Sequence, residues 1–574
     1  MKRGMKYDWV FREQPNEEGS ASLSQQIGTS ALVSKLLMMR GVSTFDDARS
    51  FFRPSLDELH DPFLMKDMDR AVNRLTDAIA GSEKILVYGD YDVDGTTSVA
   101  MMWTFLKAIG VETEFYQPDR YKEGYGVSLE GIEYARENGF QLIITLDCGI
   151  KANHAIALAK SASIDVIVCD HHSPGEELPD AIAVLDPCRH DCDYPYKGLS
   201  GCGVGFKLLQ AFALQNGISS NVTYSFLDLV CVSIAADIVP ITGENRIMAA
   251  HGLAMICDDP RPGIKALLKI AAFKGEKPDI SDVVFILSPR INAAGRMAHA
   301  SQAVLLLAST DDEKADLLAA EIEALNHNRR NEDQGITRSA LESISNNPDW
   351  IKAPGTVVFS PEWHKGVIGI VASRLIETYY RPTIVLCGEG ELITGSGRSI
   401  KGFDLYQALL ACSEFFVKFG GHPMAAGMTM RREELDKFRE KFNNILAEHF
   451  QDSVARPNIN IDCELELSQL NLKDYAQIKQ FGPFGPENMS PVFIAKGLMD
   501  KGSRPVGADS KHLKIRVKDP NNYQFDGIAF NMGEYSGMLS SGKAMDIVFS
   551  LSENNWQGNK TLQLVVKDLN YSEI

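Results

Sequence analysis

Three short apolar runs each break off at an acidic residue. Ile85–Tyr88 runs into Gly-Asp90, Gln141–Leu146 into Asp147, and Ile164–Cys169 into Asp170-His171-His172. Helix-like sequence follows the first two (TTSVAMMWTFLKAIG and NHAIALAKSA), and Val111–Tyr116 reads as a further strand. Apolar runs of this length alternating with helical stretches predict a parallel sheet in an α/β domain. Open sheets of this kind bind ligands beyond the carboxyl ends of their strands, and the acidic residues fall there.

The 574 residues leave room for roughly three to four domains. Residues 1–80 read as a mostly helical lead-in, and 81–305 as the α/β domain just described. Residues 306–350 read as a connecting helix, because 311–345 is highly charged, with no Pro and no Gly before Gly335. Residues 351–450 show a second α/β pattern (TVVFS, then PTIVLCG, then ITGSGRS). Residues 451–574 turn to short β-rich runs such as HLKIRVK and LQLVVKDL between Gly, Asn and Pro turns, which predicts an antiparallel β barrel.

Asp90-Tyr-Asp92-Val-Asp94-Gly95 is the densest acidic cluster. A calcium loop would need Glu at its twelfth position, where Met101 stands, and a helix before it, where the sequence is strand-like. The alternative is a set of carboxylates past a strand end, joined by Asp147, by Asp170-His171-His172, and by Asp237, which follows the apolar run 229–236. Several such sites converging on one sheet edge exceed what helix caps and turns explain. Carboxylates with imidazoles suit Mn²⁺ or Mg²⁺. A carboxylate shared by two ions would hold a two-metal site for phosphoryl chemistry.

The strings VYGDYDVDG, LDCGI, CDHH and AADIVP resemble the four motifs of the DHH phosphoesterase superfamily. SPRINAAGRM, GSGRS and KFGGHPMAAGM resemble its RecJ branch, with a DHHA1 second domain. The resemblance runs from about residue 60 to the C-terminus. It implies a DHH domain, a DHHA1 domain and a C-terminal OB-fold-like domain. It implies a single-stranded-DNA-specific 5′→3′ exonuclease of DNA repair and recombination, releasing 5′-mononucleotides with two Mn²⁺ or Mg²⁺ ions. Carried over residue by residue, it makes Asp90, Asp92, Asp94, Asp147, His171 and Asp237 metal ligands, with Asp147 the bridge. Many relatives place a His where Tyr88 stands, so Asp90 would serve instead, as in the RecJ branch. His172 would face the scissile phosphate, and Asp170 would hold a His ring by hydrogen bond. A single-strand-binding protein and a helicase are the partners it implies.

Other motifs divide between substrate contacts and plain structure. Ser396 and Arg398 stand in what reads as a Gly-flanked turn suited to a phosphate, and Gly420-Gly421-His422 is a second candidate. Arg120 and Arg296 are candidate phosphate grips on the first domain; Trp363-His364 reads equally as a stacking pair or a buried Trp. Gly201-Cys-Gly203-Val-Gly205 lacks the third Gly and the preceding strand of a dinucleotide site, and reads as a tight turn opening a helix. Gly537–Lys543 fits G-x-x-x-x-G-K, but Ala544 replaces the Mg²⁺-binding hydroxyl; it reads as a hairpin, with no nucleotide cofactor.

The net charge of −18 is unlike that of a protein coated in nucleic acid. Residues 496–518, however, hold seven Lys or Arg against two Asp, and Lys514, Arg516 and Lys518 alternate along one strand face. Such a face on a small barrel can track a single strand. Two other functions fit less well. A small-substrate phosphoesterase would not need the C-terminal region, and a catalytically dead scaffold would have lost carboxylates that are all present. No apolar run approaches the ~18 residues of a membrane helix. The opening MKRGMKYDWVFREQ has no apolar stretch behind it, unlike a secretory signal. The ten Cys include no C-x-x-C pair, and Cys188-Arg-His190-Asp-Cys192 is one residue too long for a zinc knuckle. Reduced thiols in a cytoplasmic protein are the expectation.

Overall fold

The structure, a computed structural model, describes residues 7–451, 455–556 and 559–572. Its contacts divide into two compact units: His60–Val239 with His251–Ala455, and Met1–Leu59 with Pro240–Ala250 and Arg456–Ile574.

The first unit contains two sheets. Strands β1 (Ile85–Gly89), β2 (Thr113–Tyr116), β3 (Leu142–Leu146), β4 (Asp165–Cys169) and β5 (Ala183–Leu185) lie in the order β2-β1-β3-β4-β5 and are all parallel. β1 and β3 are buried along their whole length, which is why their sequences are continuous apolar runs. Helix α1 (Val93–Ala108) starts directly after β1, with Asp92 as its N-cap. Helices α2 (Gly201–Gln215), α3 (Leu227–Ala236) and α4 (Ser288–Met297) follow, then the 34-residue helix α5 (Asp312–Ser345). Asp237 therefore leaves a helix C-terminus, whereas the sequence pattern pointed to a sheet edge. An apolar run of eight residues fits either element, and periodicity alone does not separate them.

The second sheet combines β6 (Thr356–Ser360), β7 (Thr383–Cys387), β8 (Leu392–Arg398), β9 (Phe416–His422) and β10 (Ala425–Arg431) in the order β9-β10-β8-β7-β6. Helix α6 (Ile368–Thr378) connects β6 to β7, which are parallel. Ser396 and Arg398 lie on the strand β8, and Gly420-Gly421-His422 on the edge strand β9; neither group is a turn. The glycines of ITGSGRS serve packing. A Cβ at Gly395 would sit 2.9 Å from Leu386, and one at Gly397 2.8 Å from Leu405. Thr394, Ser396 and Arg398 consequently share the opposite face, by the two-residue period of a strand.

In the second unit, strands Phe493–Asp500, His512–Lys518, Gln524–Ala529, Met545–Trp556 and Asn559–Tyr571 form a ring. It is joined where Met499 and Asp500 pair with Lys518 and Val517. The sheet is mixed, not wholly antiparallel: Gln524–Ala529 runs parallel to Asn559–Tyr571, and Cys463–Glu464 parallel to Phe493–Asp500. The segment read as a hairpin at 537–543 contains the short helix Ser536–Leu539, and the strands flanking it pair with other strands.

The lead-in contributes to this core. Leu23, Val33, Leu36 and Leu37 from helices Glu17–Ile27 and Ala31–Met38 are buried in one cluster with Phe481, Phe493, Ile515 and Phe549. Strand Asp8–Phe11 pairs with Asn458–Ile461. Phe481 is fully buried, with the rings of Phe51 and Phe52 at 5.5 and 5.9 Å. Phe481→Ala should therefore destabilise the second unit by about 3–5 kcal/mol, read as a drop in its thermal unfolding midpoint.

Candidate active site

The carboxyl edge of the parallel sheet gathers the acidic residues. Asp147 follows β3 with φ of 60°, a conformation few non-glycine residues adopt. Its N–H donates to the Cys169 carbonyl at 2.9 Å, and the Asp147 carbonyl accepts from the Tyr125 hydroxyl at 3.1 Å. His171, just past β4, points one ring nitrogen at three carboxylates. Its Nε2 is 3.1 Å from Asp147 Oδ1, 3.6 Å from Asp237 Oδ2 and 3.7 Å from Asp94 Oδ2. Among the described residues, two groups are close enough to share an ion: Asp147 with His171 and His172, and Asp94 with His171 and Asp237. His171 is common to both.

Asp94 is held by residues far along the chain. Gly201 N–H donates to its Oδ2 at 2.7 Å, and Cys202 N–H and the Ser233 hydroxyl to its Oδ1 at 2.8 and 2.7 Å. The GCGVG stretch is thus the start of α2, and its N–H groups grip a carboxylate as helix N-termini grip anions. A Cβ on Gly201 would lie 2.6 Å from the Cβ of Asp147, so no larger residue fits there. This is a site contribution that sequence reasoning missed; the only trace of it was small residues opening a helix.

Asp92 caps α1 by accepting from Gly95 N–H at 3.0 Å. Asp90 is fully buried; its Oδ1 accepts from Gly126 N–H at 3.2 Å and its Oδ2 has no partner. Tyr88 anchors the same loop. Its hydroxyl donates to Gly126 O and accepts from Ser128 N–H, both at 3.0 Å. Asp170 accepts from Ile150 N–H at 2.9 Å and from His172 Nδ1 at 2.7 Å, and the Tyr125 hydroxyl lies 3.1 Å from His172 Nε2. Asp186, which the sequence reading passed over, ends β5 in the same pattern and is fully buried.

The electrostatics are those of crowded buried anions. Burial, then Asp94, Asp92 and Asp237, pushes the Asp147 carboxyl well above its usual range. Burial and Asp92 do the same to Asp90. Burial with Asp94 and Asp92 raises Asp237 to about 8. Burial pulls His171 down, leaving its ring neutral and able to donate a lone pair. For His172 burial is outweighed by the Asp170 hydrogen bond and charge, lifting it to about 9. Oxygen and imidazole donors, mutual repulsion and an orphaned Asp90 oxygen together form the donor set that a hard divalent cation satisfies.

A second, oppositely charged cluster lies in the same unit. A cleft of about 360 Å³ is lined by Arg120, Lys365, Ser396, Arg398 and Lys418, with no carboxylate in its lining. The Arg120 guanidinium stands 4.8 Å over the Tyr91 ring. Arg398 donates to Ser396 Oγ at 3.1 Å. Arg296 donates to the Gly366 carbonyl at 3.1 Å; burial and the charges of Arg120 and Arg398 lower it to about 9. His422 is exposed at the end of β9, with Lys151 and His172 near enough to disfavour its charged form after burial has done so. Trp363 is buried in the core beneath β6 and β7.

On the ring-shaped sheet, Lys514 and Arg516 are exposed while Leu513, Ile515 and Val517 enter the core. Arg516 is already held by Asp526 through two hydrogen bonds of 2.8 and 3.1 Å, and Lys518 donates to Asn522 at 2.7 Å. Lys514 pairs across strands with Arg504.

Three family models match: the DHH family, N-terminal domain at residues 84–234, the DHHA1 domain at 353–448 and the RecJ OB domain at 461–568. The single-stranded-DNA-specific exonuclease RecJ of Bacillus subtilis is 37% identical over 563 residues, covering 98% of this chain and 70% of that protein. That of Escherichia coli is 34% identical over 525 residues, covering 88% and 90%. The crystal structure of RecJ in complex with Mn²⁺ from Thermus thermophilus matches with a TM-score of 0.85 and 26% identity, covering 99% of this chain and 80% of that one.

Gly201→Ala should force Asp147 aside and weaken Mn²⁺ binding by about tenfold or more. Gly203→Ala should bind as the unaltered chain does, since its added methyl meets neighbours at an ordinary 3.4 Å or more. Calorimetric titration of the folded variants with Mn²⁺ checks both.

Proposed function

The chain belongs to the RecJ family of single-stranded-DNA-specific exonucleases, and on that premise we propose that it degrades single strands from the 5′ end, one mononucleotide at a time. It is a metal-dependent hydrolase of DNA repair and recombination, using Mn²⁺ or Mg²⁺. Such ions supply Lewis acidity, lowering the pKa of water and neutralising charge that builds on the phosphate. Asp92, Asp94, Asp147, His171 and Asp237 would hold them, with Asp90 as a further ligand. Asp170 fixes the His172 ring through Nδ1, and His172 stabilises charge on the scissile phosphate.

The observation that carries the polarity is the pairing of an anionic centre with a cationic cleft through one short loop. A carboxylate cluster hydrolyses whichever phosphodiester reaches it, so polarity needs a group that recognises the terminal phosphate. Arg120, Ser396 and Arg398 line the cleft and supply that group, with the charge of Arg296 beside them. The loop that places Arg120 at the cleft also places Tyr125 against Asp147 and His172, five residues later. It thereby fixes the spacing between the terminal phosphate and the bond to be cut. His422 contacts the strand near His172. Lys514, with Arg516 and Lys518, tracks the strand on the OB domain. A single-strand-binding protein and a helicase as partners, and a cytoplasmic location with ten unpaired cysteines, belong to the same proposal. Among the described residues no helix is long and apolar enough to cross a membrane.

Three outcomes test the assignment. Asp147→Ala should reduce nucleotide release below about a tenth of the unaltered rate, a loss of several kcal/mol of transition-state stabilisation, with the fold intact by circular dichroism. Arg398→Ala should weaken 5′-phosphorylated strands more than 5′-hydroxyl strands, by about 1.5–3 kcal/mol; equal weakening would make it a general groove contact. Lys514→Ala should reduce affinity for long strands, at fixed salt, more than Arg516→Ala does, because Asp526 already neutralises Arg516.

A further inference from the structure

Three helices beside the phosphate cleft lock onto one another through side chains that do not line it. α4 carries Arg296, which donates to the Gly366 carbonyl just before α6, and it carries Arg290 six residues earlier, about 9 Å along the axis. α6 begins against the cleft: a Cβ on Gly369 would lie 2.9 Å from Arg398 Nη2 and 3.0 Å from Ser396 Oγ. Five residues on, about 7.5 Å along α6, Arg374 turns to α5.

α5 receives both arginines. Arg290 Nε lies 2.6 Å from Glu323 Oε2, and Arg374 Nη2 lies 2.7 Å from Asp333 Oδ2. Between these two acids polar side chains follow one another along the buried face of α5. Asn326 donates to Glu323 Oε2 at 3.4 Å and accepts from Arg329 at 2.8 Å, and Arg329 Nη1 is 4.0 Å from Asp333 Oδ2. Arg296 to Gly366 closes the third side, so α4, α5 and α6 form a triangle of contacts with the cleft at one corner.

Stability does not account for this chain. Asp333 is fully buried, and neither carboxylate oxygen has a hydrogen-bond partner, so it is held by its charge contacts with Arg374 and Arg329. Buried ion pairs of this kind are often matched or bettered by apolar residues of similar size. What a charged chain adds over an apolar one is a fixed register between helices.

We propose that Asp333 is a positioning residue for the phosphate cleft: by holding Arg374 to α5 it sets the distance at which Arg398 and Ser396 face Arg296. Selectivity for a 5′-phosphate then depends on a carboxylate that does not touch DNA. The inference rests on reading the cleft as the 5′-phosphate site.

The test uses the full chain with metal chelated, and measures binding of 5′-phosphorylated and 5′-hydroxyl single strands at one salt concentration. Asp333→Asn should lower the preference for the phosphorylated end about fivefold, within the range such networks transmit. Binding of the 5′-hydroxyl strand should stay unchanged, and Asp333→Glu should restore much of the preference. Hydrogen exchange should quicken at residues 366–374. Arg374→Gln, at the half-exposed end of the pair, should act in the same direction and decides the matter if Asp333→Asn does not fold. Folded variants that keep the full preference overturn the proposal. If Arg398→Ala abolishes the preference while these variants keep it, the positioning role of Asp333 alone has failed. If Arg398→Ala also keeps it, the reading of the cleft has failed.

Discussion

Carboxylates repel one another, and burial makes each of them harder to ionise. Asp90, Asp94 and Asp147 are nevertheless buried close together at one sheet edge. Cations answer that repulsion, but only if the oxygens are already aimed, and much of the surrounding backbone is spent on aiming them. Asp94 takes two N–H groups from the start of α2 and a hydroxyl from α3. Asp170 takes one from Ile150 and binds the His172 ring. Asp147 holds a left-handed backbone conformation that lets its carboxylate meet His171. Strain of this sort persists only where neighbours over-determine it, and here the neighbours are the Cys169 carbonyl, Tyr125 and the close approach of Gly201.

How much of this was legible in the sequence follows from the range of each interaction. The strands β1, β3 and β4 and their terminal Asp residues could be read directly, because a strand buried on both faces writes itself as a continuous apolar run and the ligand end lies one residue beyond it. Asp186 carried the same signal more weakly, after an apolar run of only three residues. Asp237 was legible as a candidate but not as the end of a helix. The hold of Gly201 and Ser233 on Asp94 spans more than a hundred positions, and no local pattern encodes such a contact.

The glycine-rich segments show the same limit. Gly-Ser-Gly-Arg reads locally as a turn, because glycine is the residue turns most often require. In β8 the glycines answer a different demand, the approach of Leu386 from the neighbouring strand and of Leu405 from a helix, and Ser396 and Arg398 gain a common face as a result. A turn and a tightly packed strand impose the same composition for different reasons, and only the packing partner distinguishes them. The lead-in is similar: its helices were visible, but not that their apolar face belongs to the core around Phe481 and Phe549, more than 400 residues away.

Charge is where local reading misleads most, since pairing is set by cross-strand and inter-helix neighbours. The basic run 496–518 looked uniformly available, yet Asp526 lies opposite Arg516 and neutralises it, whereas Lys514 faces Arg504 and keeps its field. The overall charge of −18 is equally uninformative about the substrate. Part of the acid excess is concentrated where cations would compensate it, and Arg120 and Arg398 line a cleft whose lining holds no carboxylate. Burial, and then the charges of Arg120 and Arg398, lower the affinity of Arg296 for its own proton. On the proposed reading, a cation belongs at the first cluster and a phosphate at the second. For a polyanion that must be both gripped and cut, the separation of the two charges is a more specific signature than their sum.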